Sequence, residues 1–213
     1  MLMNFETVLP YYVNQNRFYH NSTHIMRLLW EARVRTEAFE LSELEAIALN
    51  HAIHWHDVIY RMPALSQASN EKRSADAYME HMRNVTRHAY ISANAKIVDW
   101  AYQTIRATEF FTRDIPVEFN CRVARVMCDL DLIAFSDTFG VFDNNQTLLD
   151  WEAEIAGVKI DDSIQKRCKW FQSLLENKTT IFNYFDTPPK LFHLNAQANT
   201  NMQLYIDLNM ADN

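Results

Sequence analysis

Glycine is almost absent from this 213-residue chain, which contains only Gly140 and Gly157. Folds that bind phosphate through a glycine-rich loop need a backbone that can approach the ligand closely, so the scarcity argues against Rossmann and P-loop folds. Barrels and sandwiches with many tight hairpins also depend on glycine in their turns. No segment joins strand-like alternation to a hairpin turn. An all-α fold is therefore the favoured class.

A basic excess is also missing, because 20 Lys and Arg stand against 27 Asp and Glu, giving a net charge of −7. Proteins that bind nucleic-acid polymers usually carry a basic stripe, so we expect no such partner. Neither a signal peptide nor an apolar run of about 18 residues is found, so we expect no membrane partner and a cytoplasmic location. The three cysteines fit no zinc or redox spacing and are expected to be core residues: Cys121, Cys128 and Cys168.

Helix signals recur along the whole chain. Ser42 followed by Glu45 is a capping box, and Pro116 suits a first helical turn. No linker composition interrupts the pattern, so we predict a single compact domain over residues 1–213 with roughly eight helices and loops at 58–69 and 136–146. The predicted helices span residues 23–38, 43–57, 70–88, 93–109, 116–135, 147–157, 162–177 and 189–208.

Histidines and carboxylates occur at three separated places within this helical pattern. They are His20 and His24; His51, His54, His56 and Asp57; and Asp129 and Asp131. A divalent cation needs imidazole nitrogens and carboxylate oxygens that converge from several directions. Burying an ionised Asp within apolar helix residues is costly unless a cation compensates its charge. His51 and His54 can equally border the core, and Asp129 or Asp131 can cap a helix or pair with Arg122 or Arg125.

The order of these residues resembles the HD-domain superfamily of metal-dependent phosphohydrolases, which is all-helical. Residues 19–24, Tyr-His-Asn-x-x-His, look like a signature shared by cyclic-nucleotide phosphodiesterases and a group of small predicted HD phosphohydrolases. The resemblance extends over about residues 12–204. Its further matches are Asn70-Glu71, Ser74-Ala75, Asp129-Leu130-Asp131-Leu132, and Ala196 with Asn199.

The resemblance implies one divalent ion (Mn, Fe, Mg, Co or Zn) and a set of residues that hold it. These ligands are His24, His56, Asp57 and Asp131, with Asp129 as the alternative to Asp131. His20 matches the phosphodiesterase histidine that protonates the leaving oxygen, although Arg17-x-x-His20 also resembles a motif in which that histidine is the ligand. A second metal is disfavoured, because Phe111 stands where relatives carry histidine. His81 and His88 are the alternative source of ligands for it.

The expected function is metal-dependent hydrolysis of a phosphate ester or anhydride in a small nucleotide-like substrate. In this hypothesis Glu71 orients or deprotonates the attacking water, and Arg17, Lys72 or Arg73 bind phosphate oxygens, with Asn70 beside them. Apolar helices near the C-terminus can form the face of a homodimer. Two other functions stay open: a catalytically silent module of the same fold that binds a nucleotide or a protein, and a di-iron oxygenase.

Overall fold

The structure is a computed structural model that describes residues 5–35, 39–60, 68–85, 94–110, 115–183 and 188–210. All regular structure in these ranges is helical, which confirms the all-α prediction. Short 3₁₀ segments occur at Phe5–Thr7, Thr108–Phe110 and Ile133–Ser136. The α-helices in the described ranges are α1 Leu9–Tyr12, α2 Ser22–Val34, α3 Glu43–Trp55, α4 Asn70–Val85, α5 Ala95–Ala107, α6 Arg122–Asp131, α7 Phe139–Ile155, α8 Ile160–Glu176 and α9 Pro188–Met210.

Side-chain caps fix where the two helices nearest the histidines begin. The Asn21 side chain accepts a hydrogen bond from the Thr23 N–H at 2.8 Å and so starts α2. At α3 the predicted capping box is formed: Ser42 Oγ accepts from the Glu45 N–H, and Glu45 Oε2 accepts from the Ser42 N–H at 2.8 Å. Such caps replace backbone bonds that a helix start lacks, so they fix the first residues of α2 and α3.

The predicted loop at 136–146 is wrong, because α7 already begins at Phe139. Gly140 and two asparagines favour a loop locally, but Phe142 and Gln146 are buried one turn apart, and this burial outweighs the weak helix propensity. The helix ends at Ile155 and is followed by Gly157, whose φ of 84° only glycine adopts without strain. There the Val158 N–H donates to the Ala153 carbonyl at 2.9 Å.

The predicted start of a helix at Pro116 is also wrong. The Pro116 carbonyl accepts from the Phe119 N–H at 2.8 Å in an isolated turn, and α6 begins only at Arg122. From there α6 is buried over most of its length, including both Val126 and Leu130.

One hydrophobic cluster contains buried side chains from each of the nine α-helices in the described part of the chain. Helix α3 lies at its centre, against α2, α5 and α6, and α4 packs on α5. Helices α7, α8 and α9 pack on one another and on the 3₁₀ segment that follows α6. This arrangement brings the start of α2, the end of α3 and the end of α6 together. No helix in the described ranges is apolar over the length needed to cross a membrane.

Candidate metal centre

Four side chains that the sequence places far apart converge on one point. His24 lies in the first turn of α2, His56 and Asp57 follow α3, and Asp131 is the last residue of α6. His24 Nε2 lies 3.2 Å from Asp131 Oδ1 and 3.7 Å from Asp57 Oδ2. His56 Nε2 lies 3.0 Å from Asp57 Oδ2 and 3.4 Å from Asp131 Oδ1. The structure therefore brings together all four of the residues that the resemblance implies as ligands.

Backbone contacts aim these side chains inward. His56 Nδ1 lies 3.0 Å from the Ile53 carbonyl, so this nitrogen carries the proton and Nε2 faces the other donors. Arg17 holds the turn itself: its Nη1 donates to the Asp57 carbonyl at 2.6 Å and its Nη2 to the Val58 carbonyl at 3.0 Å. Nη1 also donates to the His20 carbonyl at 3.2 Å, which ties the turn after α3 to the segment before α2.

The chemistry of the donor set fits a divalent cation. The Nε2 atoms of His24 and His56 face each other at 3.3 Å, with the Asp57 and Asp131 carboxylates beside them. Two imidazole lone pairs and two carboxylates at such distances repel one another unless a proton or a cation lies between them. Three of the residues, His24, His56 and Asp57, form a buried group whose ligand atoms lie within 4.8 Å of one another. Mixed nitrogen and oxygen ligands of this kind bind Mn, Fe, Co or Zn.

The ionisation of the carboxyl groups agrees with a ligand role. Burial raises the pKa of Asp131, but the His56 and His24 imidazoles beside it outweigh burial and hold that pKa well below its usual range. The pKa of Asp57 is lowered to about 2, because the neighbouring imidazoles, His56 foremost, likewise outweigh burial. Both groups are therefore anionic at neutral pH, the form in which carboxylates bind metals.

Asp129, the alternative to Asp131, has a different partner. Its two carboxylate oxygens accept from the Asn183 N–H at 3.1 and 2.9 Å, and only 2% of the residue is exposed. Residues two apart on a helix point in directions that differ by about 200°. Asp129 thus supports the loop before α9, whereas Asp131 faces the two histidines.

Glu152 is a site residue that the sequence analysis did not single out. It lies on α7, and its Oε2 is 2.6 Å from His20 Nδ1. Its Oε1 accepts from the backbone N–H groups of Tyr19 at 2.8 Å and of His20 at 2.9 Å. One face of the His20 ring is covered by Tyr60, whose ring stacks on the imidazole at a centroid distance of 3.8 Å. His20 is consequently fixed in orientation, with Nδ1 committed to Glu152.

The charges around His20 favour its protonated form. Burial lowers the pKa of His20, but the Asp57 and Glu152 carboxylates raise it by more, and the net shift is upward. Burial raises the pKa of Glu152, but its hydrogen bonds from His20 and Tyr19 lower it by more. The pair therefore has the properties of an imidazolium held against a carboxylate.

Four other predicted site residues lie in the first turn of α4: Asn70, Glu71, Lys72 and Arg73. Burial and the Asp57 charge raise the pKa of Glu71. The Lys72 ammonium lies 2.5 Å from the Asp76 carboxylate at the surface, and the Arg73 N–H donates to the Ser69 carbonyl. Within the described ranges, no hydrogen bond or ion pair joins Lys72 or Arg73 to the four converging donors.

His51 and His54 are buried and have core roles. His51 Nδ1 lies 3.0 Å from the Tyr78 hydroxyl, and His54 Nδ1 lies 2.6 Å from the Asn50 carbonyl. The His81 ring packs against Trp55. The two remaining residues of the second-metal interpretation, His88 and Phe111, lie outside the described residues.

The Ala-x-x-Asn match near the C-terminus, Ala196 and Asn199, lies two residues before another pair with the same spacing, Ala198 and Asn201. Ala196 and Asn199 are exposed, whereas Ala198 and Asn201 are buried. Asn201 Nδ2 donates to the carbonyls of residues 135 and 137 at 2.9 and 2.8 Å, and so holds the segment that follows α6. Both pairs have the same spacing, so the sequence pattern alone does not distinguish them.

Compared with known proteins, the chain matches no family model, and no curated protein matches it. The functional assignment therefore depends on the geometry above. Two features carry it: the four converging donors and the fixed pair of His20 and Glu152.

Proposed function

We propose that this chain is a metal-dependent phosphohydrolase of the HD-domain type, acting on a small nucleotide-like phosphate compound. The observation that carries the proposal is the convergence of His24, His56, Asp57 and Asp131, whose imidazole nitrogens lie 3.0–3.7 Å from the carboxylate oxygens. These residues come from three helix ends in the order that the superfamily resemblance implies. The two imidazole Nε2 atoms also face each other at 3.3 Å, as two nitrogen ligands of one ion would.

His24, His56, Asp57 and Asp131 would hold one divalent ion. When bound, such an ion lowers the pKa of a water molecule and neutralises charge on a phosphoryl oxygen. Phosphoryl transfer depends mainly on positioning and on charge neutralisation, so a small set of fixed polar residues suffices for the rest.

His20 is the proton donor of this proposal. Its Nδ1 is bound by Glu152, so the proton for the leaving oxygen is the one on Nε2. Glu152 is a positioning residue, because it fixes the ring through the side chain and through two backbone N–H groups of the same segment. General acids work best when their orientation is fixed before the substrate binds.

Glu71 and the basic residues have supporting roles. Glu71 is half-buried near Asp57, and its raised pKa suits a group that orients or deprotonates water. Arg17 has both Nη atoms on backbone carbonyls, which favours a framing role over a phosphate clamp. In this proposal, Lys72 and Arg73 at the start of α4 bind the phosphate oxygens.

Metal binding and turnover can be measured in one set of samples. We expect Mn²⁺, Fe²⁺ or Zn²⁺ to raise the melting temperature and to support phosphate release from a panel of mono-, tri- and cyclic nucleotides. Asp57→Asn keeps the size of the side chain and should abolish both effects. Asp99→Asn removes the same charge from the exposed face of α5 and should change neither.

Two results would count against the proposal. Equal phosphate release by the parent and by Asp57→Asn would identify a contaminating enzyme. Metal binding through the four donors without turnover of any compound would favour the silent binding module.

A further inference from the structure

An ion pair lies one helical turn beyond His24 and joins two of the elements that carry the proposed ligands. Arg27 Nη1 donates to Asp137 Oδ2 at 2.6 Å, and Arg27 Nη2 donates to Asp137 Oδ1 at 2.7 Å. Arg27 belongs to α2, and Asp137 follows Asp131 after the 3₁₀ segment Ile133–Ser136. Two parallel bonds of this kind fix the guanidinium and the carboxylate in direction as well as in distance.

On the α2 side, Arg27 is rigidly connected to His24. Residues three apart on a helix lie on the same face, one turn apart. Ile25 follows His24 and Leu28 follows Arg27, and both apolar side chains are fully buried in the core. Because α2 cannot turn about its axis without exposing them, a movement of Arg27 moves His24 with it.

On the α6 side, the chain between Asp131 and Asp137 is folded in a tight 3₁₀ turn and anchored to the core. The Asp137 N–H donates to the Ala134 carbonyl at 3.3 Å. Asn201, which is fully buried on α9, donates to the Phe135 and Asp137 carbonyls at 2.9 and 2.8 Å. The backbone at Asp137 is thus held by α9, while its side chain is held by α2.

The ion pair therefore controls the separation of the two ligands that it flanks. His24 Nε2 lies 3.2 Å from Asp131 Oδ1. Ligand atoms must keep their distances from a metal ion to within about 0.2 Å, so a small sliding of α2 against α6 would take one of the two out of range. Arg17 joins the segment before α2 to the turn after α3, and Arg27 supplies the corresponding link from α2 to the end of α6.

The location of the pair distinguishes this role from a general contribution to stability. The Arg27 and Asp137 side chains are 29% and 20% exposed, and solvent screens the attraction between partly exposed charges. Another ion pair of α2, between Arg35 and Glu31, has an arginine that is 23% exposed, but it lies within the end of one helix. It offers the same side-chain chemistry without a connection to α6.

We propose that Arg27 is a positioning residue of the metal centre. Through Asp137 it holds α2 against the segment after α6, and so keeps His24 and Asp131 at the separation that one ion requires. This inference rests on the proposed function, in which Arg27 touches neither the metal nor the substrate. Replacing residues that orient metal ligands without binding the metal typically lowers its affinity about 10- to 100-fold. The expected effect is therefore a loss of affinity for the ion.

The test is a Mn²⁺ titration of the full chain by calorimetry, without substrate. Arg27→Met keeps an unbranched apolar side chain but removes the guanidinium, and Asp137→Asn keeps the size but removes the charge. We expect each variant to bind Mn²⁺ at least about tenfold more weakly than the parent. The double variant should bind no more weakly than the weaker single variant, because both changes break the same pair. Arg27→Lys keeps the charge but loses the two parallel bonds, so its affinity should be intermediate.

Arg35→Met is the matched control, since it makes the same substitution on the same helix, and it should bind Mn²⁺ as the parent does. Melting curves of the metal-free proteins identify any variant that does not fold. If Arg27→Met does not fold, Arg27→Lys and Asp137→Asn carry the test. Parental affinity in the variants of the Arg27–Asp137 pair, additive losses in the double variant, or equal weakening by Arg35→Met would overturn the inference.

Phosphate release, measured on the same samples, separates the failure of this inference from that of the proposed function. Weaker metal binding in Arg27→Met, without turnover of any compound by the parent, would support the positioning role and count against the hydrolase. Turnover by the parent, with parental metal affinity in Arg27→Met, would support the hydrolase and overturn the positioning role. No Mn²⁺ binding by the parent would overturn both.

Discussion

Two buried clusters of charged residues in this molecule differ in how their hydrogen-bond donors and acceptors are matched. Between α7, α8 and α9, Asp150 accepts from the Ser163 hydroxyl at 2.7 Å and from both Nη atoms of Arg167 at 2.9 and 2.7 Å. Arg167 Nη1 also donates to the Tyr205 hydroxyl oxygen at 2.8 Å. At the other cluster, two carboxylates meet two imidazoles whose Nε2 atoms face each other at 3.3 Å.

The difference separates a structural role from a functional one. Every contact around Asp150 joins a donor to an acceptor, so that cluster is complete within the protein. In the cluster at Asp57 and Asp131, the two imidazole Nε2 atoms face each other and each lies beside a carboxylate, and in the proposed function a cation would complete this set. Buried charge alone therefore does not indicate a site, whereas imidazole nitrogens that face each other between two carboxylates are the arrangement expected of one.

The largest effect is expected from breaking the complete cluster. Asp150→Ala leaves the Arg167 guanidinium buried without its carboxylate, and the free energy of unfolding should fall by about 3–5 kcal/mol. Metal affinity of the folded protein should not change. Urea unfolding measures the first quantity, and calorimetry the second. Asp161→Ala, an exposed acidic residue of α8, is the control and should cost little. A similar loss in both variants would contradict the distinction.

Asp129 and Asp131 on α6 allow a structural and a proposed ligand role to be compared within one helix. Asp131→Asn should weaken metal binding by at least about 100-fold, because removing a ligand costs more than removing a supporting residue. Asp129→Asn should keep the metal but lower the free energy of unfolding by about 1–3 kcal/mol, since it weakens the cap on the Asn183 N–H. Metal titration followed by thermal melts distinguishes the two. Loss of metal in Asp129→Asn with retention in Asp131→Asn would reverse the ligand assignment.

A pH series tests the pair of His20 and Glu152. As in the Asp150 cluster, a donor is matched with an acceptor, but this pair lies beside the candidate metal centre. The pKa of His20 is raised above its ordinary 6.5, so its contribution to stability is full below pH 6.5 and is lost as the pH rises through the raised value. The pKa of Glu152 is lowered from its ordinary 4.5, so its contribution is full above pH 4.5 and is lost as the pH falls through the lowered value.

The stabilisation should therefore be greatest between pH 4.5 and 6.5. Glu152→Gln removes the charge, and the parent should exceed it in unfolding free energy by about 1.5–3 kcal/mol in that window. The difference should shrink on both sides. Urea unfolding of the metal-free proteins across pH 3–9 measures it. A difference that does not vary with pH would mean that the two groups do not form an ion pair.

The smallest effect is expected from the exposed ion pair at the start of α4. Lys72 and Asp76 lie at the surface, where solvent screens their attraction, so Lys72→Ala should change the free energy of unfolding by less than about 0.5 kcal/mol. If Lys72 binds phosphate oxygens, the variant should instead raise KM for the substrate. Lys166→Ala on the exposed face of α8 is the control for charge. An unchanged KM would remove Lys72 from the proposed site.

The sequence predicted what depends on local pattern and missed what depends on packing. The capping box at Ser42 and the helical class follow from neighbouring residues, and both are present. A helix was predicted at 147–157, but its first part, residues 139–146, was missed because Gly140 weakens the local signal, while burial of Phe142 comes only with the rest of the core. Glu152 was missed because nothing nearby distinguishes it from the exposed Glu154 on the same helix.

The bonds of Arg17 also decide how the site assembles. One guanidinium joins the carbonyls of the turn after α3 to the segment before α2, across 40 and 41 residues of chain. Its donors are satisfied only when both segments are in place, so a half-docked arrangement gains little from either. We therefore expect the segments that carry His24 and His56 to form and melt together. A metal ion held by the proposed ligands would then be released in a single step on unfolding, with no population that keeps half of them.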